Sequence, residues 1–544
     1  MSVKLLFIIP PALSIDELIT CGKVKYDSYI PTSIPLGVLS ISSYLRNNAD
    51  VCIRVLDLNV ILSNSISDRY YNDVINEAIS GEVHNLKPDI VGISALFNSN
   101  FSYLNELSKI VREMCPEAII TTGGGLPTNL YRAVLEEAPC IDAVCYAEGE
   151  IPMLELVIAI ERKQYLNTDP SWITKDKLST DFIPQAKFIR NLDDIPIFAY
   201  DLLKFEEYQK HNRYHGDGDN LVVMSLMTTR GCPFRCTFCA SHTVHGRKIR
   251  VLSAERVTED IEYIIKRYDV NTFAIEDDHF LVDKQRALYI LKELSNKKIN
   301  IEFPNGLTVY AIDEEIAEAL KTANVKMVTI AVESGSEDVL REIIHKPLKL
   351  GMVKKAVSIL RSKEIYIRAF FIVGFPGETK EHRQQTVEFI RETGFNWVGI
   401  MIATPIAGSD LYKECEENNY LVSKNISDFH FGKGNIKTKD FTPEQIENER
   451  YIMNLDLNFI NNYDMRHNNY EIALIGFNDV IKRVVNHAIA YYCAANCYEK
   501  LGNLEKSEVL RERFKEIIKN DKKWSEYAEQ FGLIHGKKTC GGEN

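Results

Sequence analysis

Two stretches of this chain alternate short apolar runs with amphipathic helical patterns, and that alternation restricts the fold more than any other feature. In residues 1–160 the strand candidates are Lys4–Ile9, Val51–Leu56, Ile90–Ser94, Ala118–Thr122 and Ala143–Tyr146. Helical patterns such as Leu36–Arg46, Tyr103–Met114 and Leu130–Glu137 separate them. Strands spaced by helices of this length pair in parallel, so the chain is expected to be α/β and to open with a Rossmann-like, doubly wound parallel sheet. A second series runs through Leu221–Thr228, Thr272–Glu276, Ile301–Asn305, Met327–Val332, Ile367–Val373 and Trp397–Ala403. These six strands predict a second parallel sheet, curved into a partial (β/α)6 barrel. Residues 441–544 show no strand pattern, and Ala488–Leu501 followed by Leu504–Ile518 reads as a helical hairpin. The expected division is a first domain at 1–165, a polar connector at 166–217, a second domain at 218–440 and a helical region at 441–544.

Composition narrows the setting. The 544 residues are 45% hydrophobic and 26% charged, as in ordinary globular chains. The net charge of −12 argues against general nucleic-acid binding. No apolar run approaches the roughly 18 residues of a membrane span, and the short run after Met1 reads as a first strand rather than a leader. Twelve Cys in 544 residues fall far below a disulfide scaffold, which suggests a reducing, cytoplasmic location. Cys140, Cys145, Cys493 and Cys497 are expected to be packing residues, and Cys540 to lie in a disordered tail.

One group of cysteines stands apart. Cys232, Cys236 and Cys239 occur as CxxxCxxC just after a strand, within Arg230-Gly-Cys-Pro-Phe-Arg-Cys-Thr-Phe-Cys239. Three thiolates on one short loop can face a common centre, with Gly231 and Pro233 permitting the sharp turns. Soft thiolates select zinc, copper(I) or an iron–sulfur cluster. Zinc would want a fourth ligand, for which His242 and His245 are candidates. An iron–sulfur cluster on three Cys leaves one iron open.

The loop and its context resemble the radical S-adenosylmethionine (SAM) superfamily, in the branch that carries an N-terminal cobalamin-binding domain. The resemblance extends to Phe273-Ala-Ile-Glu-Asp-Asp-His-Phe280 and Val332-Glu-Ser-Gly-Ser336. It continues through Gly374-Phe-Pro-Gly-Glu-Thr379 and Ala403-Thr-Pro-Ile-Ala-Gly-Ser409, the last with Ala407 where the family has a second Pro. In the first domain it rests on IIPP, PLGVLSISSYLR at 35–46, GIS at 92–94, GGG at 123–125 and Ala147-Glu-Gly-Glu150. It covers about 1–165 and 218–415.

The resemblance implies a 4Fe-4S cluster on Cys232, Cys236 and Cys239, whose open iron chelates SAM and cleaves it to a 5′-deoxyadenosyl radical. It implies SAM contacts from Asp277 or Glu276, from Glu333 and Ser334, and from the turn at Gly374 and Gly377. Arg368 is a further candidate, for the SAM carboxylate. Cobalamin is implied at Ser94, Gly123, Gly124 and Gly125; by themselves three glycines after a strand read equally as a tight turn. The DxHxxG motif of many cobalamin proteins is missing. His84, the sole His in the first 200 residues, follows a helical pattern in a polar stretch and is not expected to ligate cobalt. The implied activity is methylation of an unactivated carbon, with rearrangement, cyclisation or ring contraction as the alternative within the family. The implied partners are a small-molecule or natural-product substrate and an electron donor such as flavodoxin or ferredoxin, without nucleic acid or membrane. A zinc- or cobalamin-binding regulatory protein is the rival from another class.

Overall fold

The computed structural model describes residues 2–13, 32–65, 70–209, 221–423, 425–429 and 432–534. Cys540 lies outside them. The first sheet contains β1 (Val3–Ile9), β2 (Val51–Asp57), β3 (Ile90–Ser94), β4 (Ile119–Gly123) and β5 (Ala143–Cys145), all parallel, in the order β2-β1-β3-β4-β5. A two-residue strand, β6 (Trp172–Ile173), adds antiparallel to β5. Successive side chains point to opposite faces. Leu6, Ile8, Val91, Ile93 and Ile120 therefore join one core with helices Tyr71–Leu86 and Phe101–Met114. Leu5, Phe7, Ile90 and Ile119 join a second core with helices Leu36–Asn48 and Glu150–Ile158. Burial on both faces explains why these strands are continuous apolar runs. The order reverses beside β1, which opens a crevice at the carboxyl ends of the strands.

The second series opens with β7 (Val223–Leu226) and a small antiparallel hairpin, β8 (Thr229–Arg230) with β9 (Arg250–Val251). It continues through β10 (Thr272–Ile275), β11 (Asn300–Glu302), β12 (Met327–Glu333), β13 (Tyr366–Val373) and β14 (Trp397–Ile402). Strands β7-β10-β11 and β12-β13-β14 form two parallel sheets, joined by a parallel bridge between Leu307 and Ile330. One continuous core fills the six-stranded arc. The expected partial (β/α)6 barrel is thus present, with β7 and β14 as its edges.

Among the described residues, 443–530 carry helices only. Helix Pro443–Leu455 and the π-helical turn Asp456–Ile460 lie along β14. The buried Asn458 amide accepts from Val398 N at 2.8 Å and donates to Val398 O at 2.7 Å. It occupies the place of a neighbouring strand and satisfies an edge that would otherwise be open. The hairpin appears as Ala488–Lys500 and Leu504–Asn520, and Cys493 and Cys497 are packed in its core.

A buried ionic network joins the two sheets. After β5, Ala147 takes a positive φ of 66°, a conformation that costs an L-residue roughly 1–2 kcal/mol. The turn presents Glu148 and Glu150 to the β8–β9 hairpin. Arg250 grips Glu148 with two nitrogens, at 2.6 and 2.8 Å. Arg230 reaches Glu150 at 2.8 Å and Ser40 Oγ at 2.8 Å, and Ser40 Oγ donates to Glu150 at 2.6 Å. His245 Nδ1 lies 2.8 Å from Glu148. All four charged side chains are buried. Burial alone would raise the Glu148 carboxyl; hydrogen bonds from Arg250 and His245 and the charge of Arg230 hold it down at about 2.

Two outcomes are expected. The folded Glu148 value lies below the ordinary carboxylate value, so its stabilisation is complete above about pH 4.5 and fades as the pH falls toward 2. Hydrogen-exchange protection of 146–150 and 229–251 should drop between pH 6 and pH 3 in the native protein. In Glu148→Gln it should already be low at pH 6. Asn458→Ala leaves Val398 N and O unpaired in a dry interface and should cost about 1–3 kcal/mol in urea unfolding of the barrel.

Candidate functional site

The cysteine loop leaves β8 at Gly231. Its φ is +93°, and a Cβ there would meet Lys248 O at 2.5 Å, so only glycine passes the hairpin at this point. The loop is then pinned along its length. Cys232 N donates to Gly246 O at 3.3 Å, and Thr237 N donates to Ile344 O at 2.9 Å. Thr237 Oγ1 donates to Ile343 O at 2.9 Å. The three thiols are left half-buried. Ser241 N points at Cys239 Sγ (3.5 Å), and His279 Nε2 lies 3.2 Å from Cys232 Sγ while its Nδ1 lies 3.2 Å from Thr308 Oγ1. Burial pushes the Cys236 thiol up to about 12 and raises Cys232 and Cys239 as well. Iron supplies the positive field that turns such thiols into thiolate ligands. This donor set fits a 4Fe-4S cluster. Of the two histidines that could give zinc a fourth ligand, His245 is engaged by Glu148 at 2.8 Å.

Cys239 opens onto a cavity of about 560 Å³, within the usual range for small-molecule sites. Its walls come from both sheets. The barrel contributes strand ends and the loops after them: Glu276, Asp278, Asn305, Glu333, Phe370 and Met401. The first domain contributes Leu96, Asn98, Gly125, Leu126 and Asn129. A second hollow, of about 490 Å³, lies at the amino ends of the first sheet, around Lys87, Cys115 and Arg162, on the edge opposite the cysteine loop.

The structure separates the predicted SAM residues. Glu276 and Asp278, in the loop that leaves β10, line the cavity, and Asp277 between them does not. Asp277 is buried and accepts from Thr228 N (2.5 Å), Thr228 Oγ1 (2.6 Å) and Thr229 N (2.9 Å). Burial outweighs these bonds and lifts its carboxyl to about 6. Asp277 thus tethers the strand that feeds the cysteine loop, and the cavity-facing acids are its two neighbours. Asp278 holds Ser241 Oγ at 3.0 Å. Glu333 lines the cavity with a φ of 72° and pairs with Lys346 at 3.0 Å. Ser334 does not; it is buried against Thr386 Oγ1 at 3.3 Å. Gly374 and Gly377 form a positive-φ turn closed by Glu378, whose Oε2 accepts from Gly374 N at 2.5 Å, and neither lines the cavity. Arg368 shares a face of β13 with Phe370 and Ile372, one step deeper in the barrel.

On the first domain the glycines divide their work. Gly124 has φ +111°, and a Cβ would strike Ala95 O at 2.4 Å; Gly123 packs on Cys145 and pairs with Ser94. Only Gly125 of these four faces the cavity. The Asn100 side chain accepts from Leu96 N and Phe97 N, both at 2.9 Å, and donates to Pro11 O at 2.7 Å. That network holds Leu96 and Phe97 61% and 51% exposed, an apolar ledge suited to the face of a large planar cofactor such as cobalamin. Asn129 bonds Thr243 Oγ1 at 2.9 Å and ties this wall to the helix after the cysteines. His84 lies within helix Tyr71–Leu86 rather than in a loop, exposed and at the amino-end edge of the sheet.

Leu96, Asn98 and Asn129 line the cavity without any motif to announce them, and Asp278 and His279, within the quoted Phe273–Phe280 segment, were not singled out there. The Glu148–Arg250 and Glu150–Arg230 pairs were also hidden, although the segment carrying the two acids had a family-like look. No helix of the described residues is long and apolar enough to cross a membrane.

Comparison with known proteins agrees with this geometry. The Radical SAM superfamily matches residues 226–390, and the B12 binding domain matches residues 25–157. An uncharacterized methyltransferase of Pyrococcus horikoshii is 29% identical over 81% of this chain and 90% of its own. A cytidylyl-2-hydroxyethylphosphonate methyltransferase of Streptomyces wedmorensis is 28% identical over 61% of this chain and 68% of its own. Among solved structures, the cobalamin-dependent S-adenosylmethionine radical enzyme OxsB, with aqua-cobalamin and S-adenosylmethionine bound, shares the fold. The match has a TM-score of 0.64 at 15% identity and covers 99% of this chain and 82% of that one. With two facing sheets and a three-cysteine loop between them, the chain joins an N-terminal B12-binding domain to a radical SAM domain.

Proposed function

We propose that this protein is a methyltransferase that acts on an unactivated carbon of a small molecule. The observation that carries the reading is the single cavity walled by both domains, with Cys239, Glu276 and Asp278 on one side and Gly125 and Leu96 on the other. Hydrogen removal and methyl delivery at one carbon require both reagents within roughly 3–3.5 Å of it. When bound, the cluster with SAM supplies one-electron chemistry, and cobalamin supplies the methyl group. The chain's own residues position these groups. Cys232, Cys236 and Cys239 hold the cluster. Glu276, Asp278 and Glu333 offer a carboxylate wall to the cationic ammonium and sulfonium groups of SAM. Leu96 and Gly125 give cobalamin an apolar bed, and Phe370, Met401 and Ile406 keep water from the reacting carbon. We place the cobalamin-binding unit within 1–165 and the radical SAM core within 218–440, in a cytoplasmic enzyme fed by a reduced electron carrier.

Replacing Cys232, Cys236 and Cys239 together with Ala should abolish iron and sulfide binding while circular dichroism stays native. A triple variant that still holds about four iron per chain would move the cluster elsewhere. Gly125→Phe projects a ring into the cavity from a position where a Cβ meets nothing nearer than 3.5 Å. It should exclude cobalamin, keep full iron, and still release 5′-deoxyadenosine from SAM without methylated product. Product heavier than substrate by one methylene unit supports methyl transfer; an unchanged carbon count would replace it with rearrangement or ring closure in the same cavity.

A further inference from the structure

The outer face of the cysteine loop carries a charge opposite to that of the chain. The net charge is −12, yet Arg235, Arg247 and Lys248 are all exposed on this loop and the hairpin beside it. Among the described residues none of the three pairs with a carboxylate, in contrast to the neighbouring Arg230, His245, Arg250 and Arg256. Arg247 Nη1 donates to Phe234 O at 2.5 Å, which holds its head over the loop. Between the cations lies an apolar centre. Pro233 is exposed, and Phe234 packs edge-on against Tyr310 at 6.1 Å, a ring that is itself 49% exposed. Aromatic residues within a charged rim are the composition of a protein-binding surface.

The location limits what this surface is for. None of Arg235, Arg247, Lys248, Phe234 and Tyr310 lines the cavity, so the patch does not hold substrate. Arg235 directly precedes Cys236, which puts its Cα about 3.8 Å from that of a cluster ligand. The patch is thus the outside of the wall whose inside, at Cys239, faces the cavity.

We propose that this patch docks an acidic one-electron carrier protein that reduces the cluster. The inference rests on the radical SAM reading of the loop and names the partner of that site. Each reductive cleavage of SAM needs one electron from outside: the carrier is oxidised by one electron and the cluster is reduced by one. A cluster held by Cys232, Cys236 and Cys239 would supply that electron for the reductive cleavage of the carbon–sulfur bond of SAM. Opposite charges accelerate such an encounter by roughly 10–10³-fold, and salt removes the gain.

The test uses the holoenzyme, reconstituted with iron and sulfide, and follows bleaching of the cluster absorbance. The probes are reduced flavodoxin, an acidic flavin protein, and photoreduced 5-deazaflavin, a small molecule that needs no docking. In the native protein the flavodoxin rate should fall steeply as salt rises. In Arg235→Glu/Lys248→Glu it should drop at least about 10-fold at low salt and lose its salt dependence, with iron content and the deazaflavin rate unchanged. Arg235→Lys, which keeps the charge, should retain the native rate. Equal flavodoxin rates in native and reversed proteins would overturn the proposal, as would an equal loss with deazaflavin, which would mean a damaged loop. RNA binding that disappears in the reversed variant while flavodoxin reduction persists would assign the patch to nucleic acid instead. A native chain without iron would refute the cluster reading itself, and the docking surface with it.

Discussion

The ion pairs Arg230–Glu150 and Arg250–Glu148 set the geometry on which the active cavity depends. Buried charges are poor sources of net stability, because desolvation consumes much of the attraction. They are demanding in another way, since any arrangement that separates one partner leaves a charge without solvent or counter-ion. The observed placement of the two sheets satisfies both carboxylates, both guanidinium groups and Ser40 together. Arg230 is the last residue before Gly231 and the cysteine loop, and Arg250 sits opposite it on the hairpin. The contact that orients the first domain therefore also orients the cysteine loop. The strained backbone of Ala147 is consistent with that demand, because it turns the two acids toward the hairpin.

The cavity that results has two chemically different walls. Carboxylates come from the barrel strands, and the exposed apolar ledge comes from the loop after β3. A cationic, polar cofactor and a large flat one are thereby sorted to opposite sides without a dedicated lid. The helical region contributes at a distance. Through Asn458 it completes the open edge of β14, a strand that ends at Met401 and Ile402 in the cavity wall. Arg235, Arg247 and Lys248 stand exposed on the cysteine loop and its hairpin, and none of them lines the cavity.

Strand positions, the parallel topology and the cysteine loop were legible because each depends on local pattern. Apolar runs between helices announce buried parallel strands, and three thiols at fixed short spacing announce a cluster wherever they fold. The acids after β10 were harder. The sequence offered Glu276 or Asp277, and only the fold shows that Asp277 turns to tether Thr228 and Thr229 while Glu276 and Asp278 line the cavity. Ser334, Gly374 and Gly377 resembled ligand contacts by motif; in the structure Ser334 packs against Thr386 and the two glycines form the turn that Glu378 closes.

Sequence alone determined that this chain makes two parallel α/β sheets, that Cys232, Cys236 and Cys239 share one short loop after a strand, and that Gly123–Gly125 lie at a strand end. Those outcomes are set by residues near each other along the chain. Tertiary structure alone decided which of the glycines faces ligand, which acids face the cavity, and how the two sheets meet. Glu148 and Arg250 are 102 positions apart, and Ser40 and Arg230 are 190 apart. No local pattern links them; their pairing exists only because burial forbids leaving any of them alone.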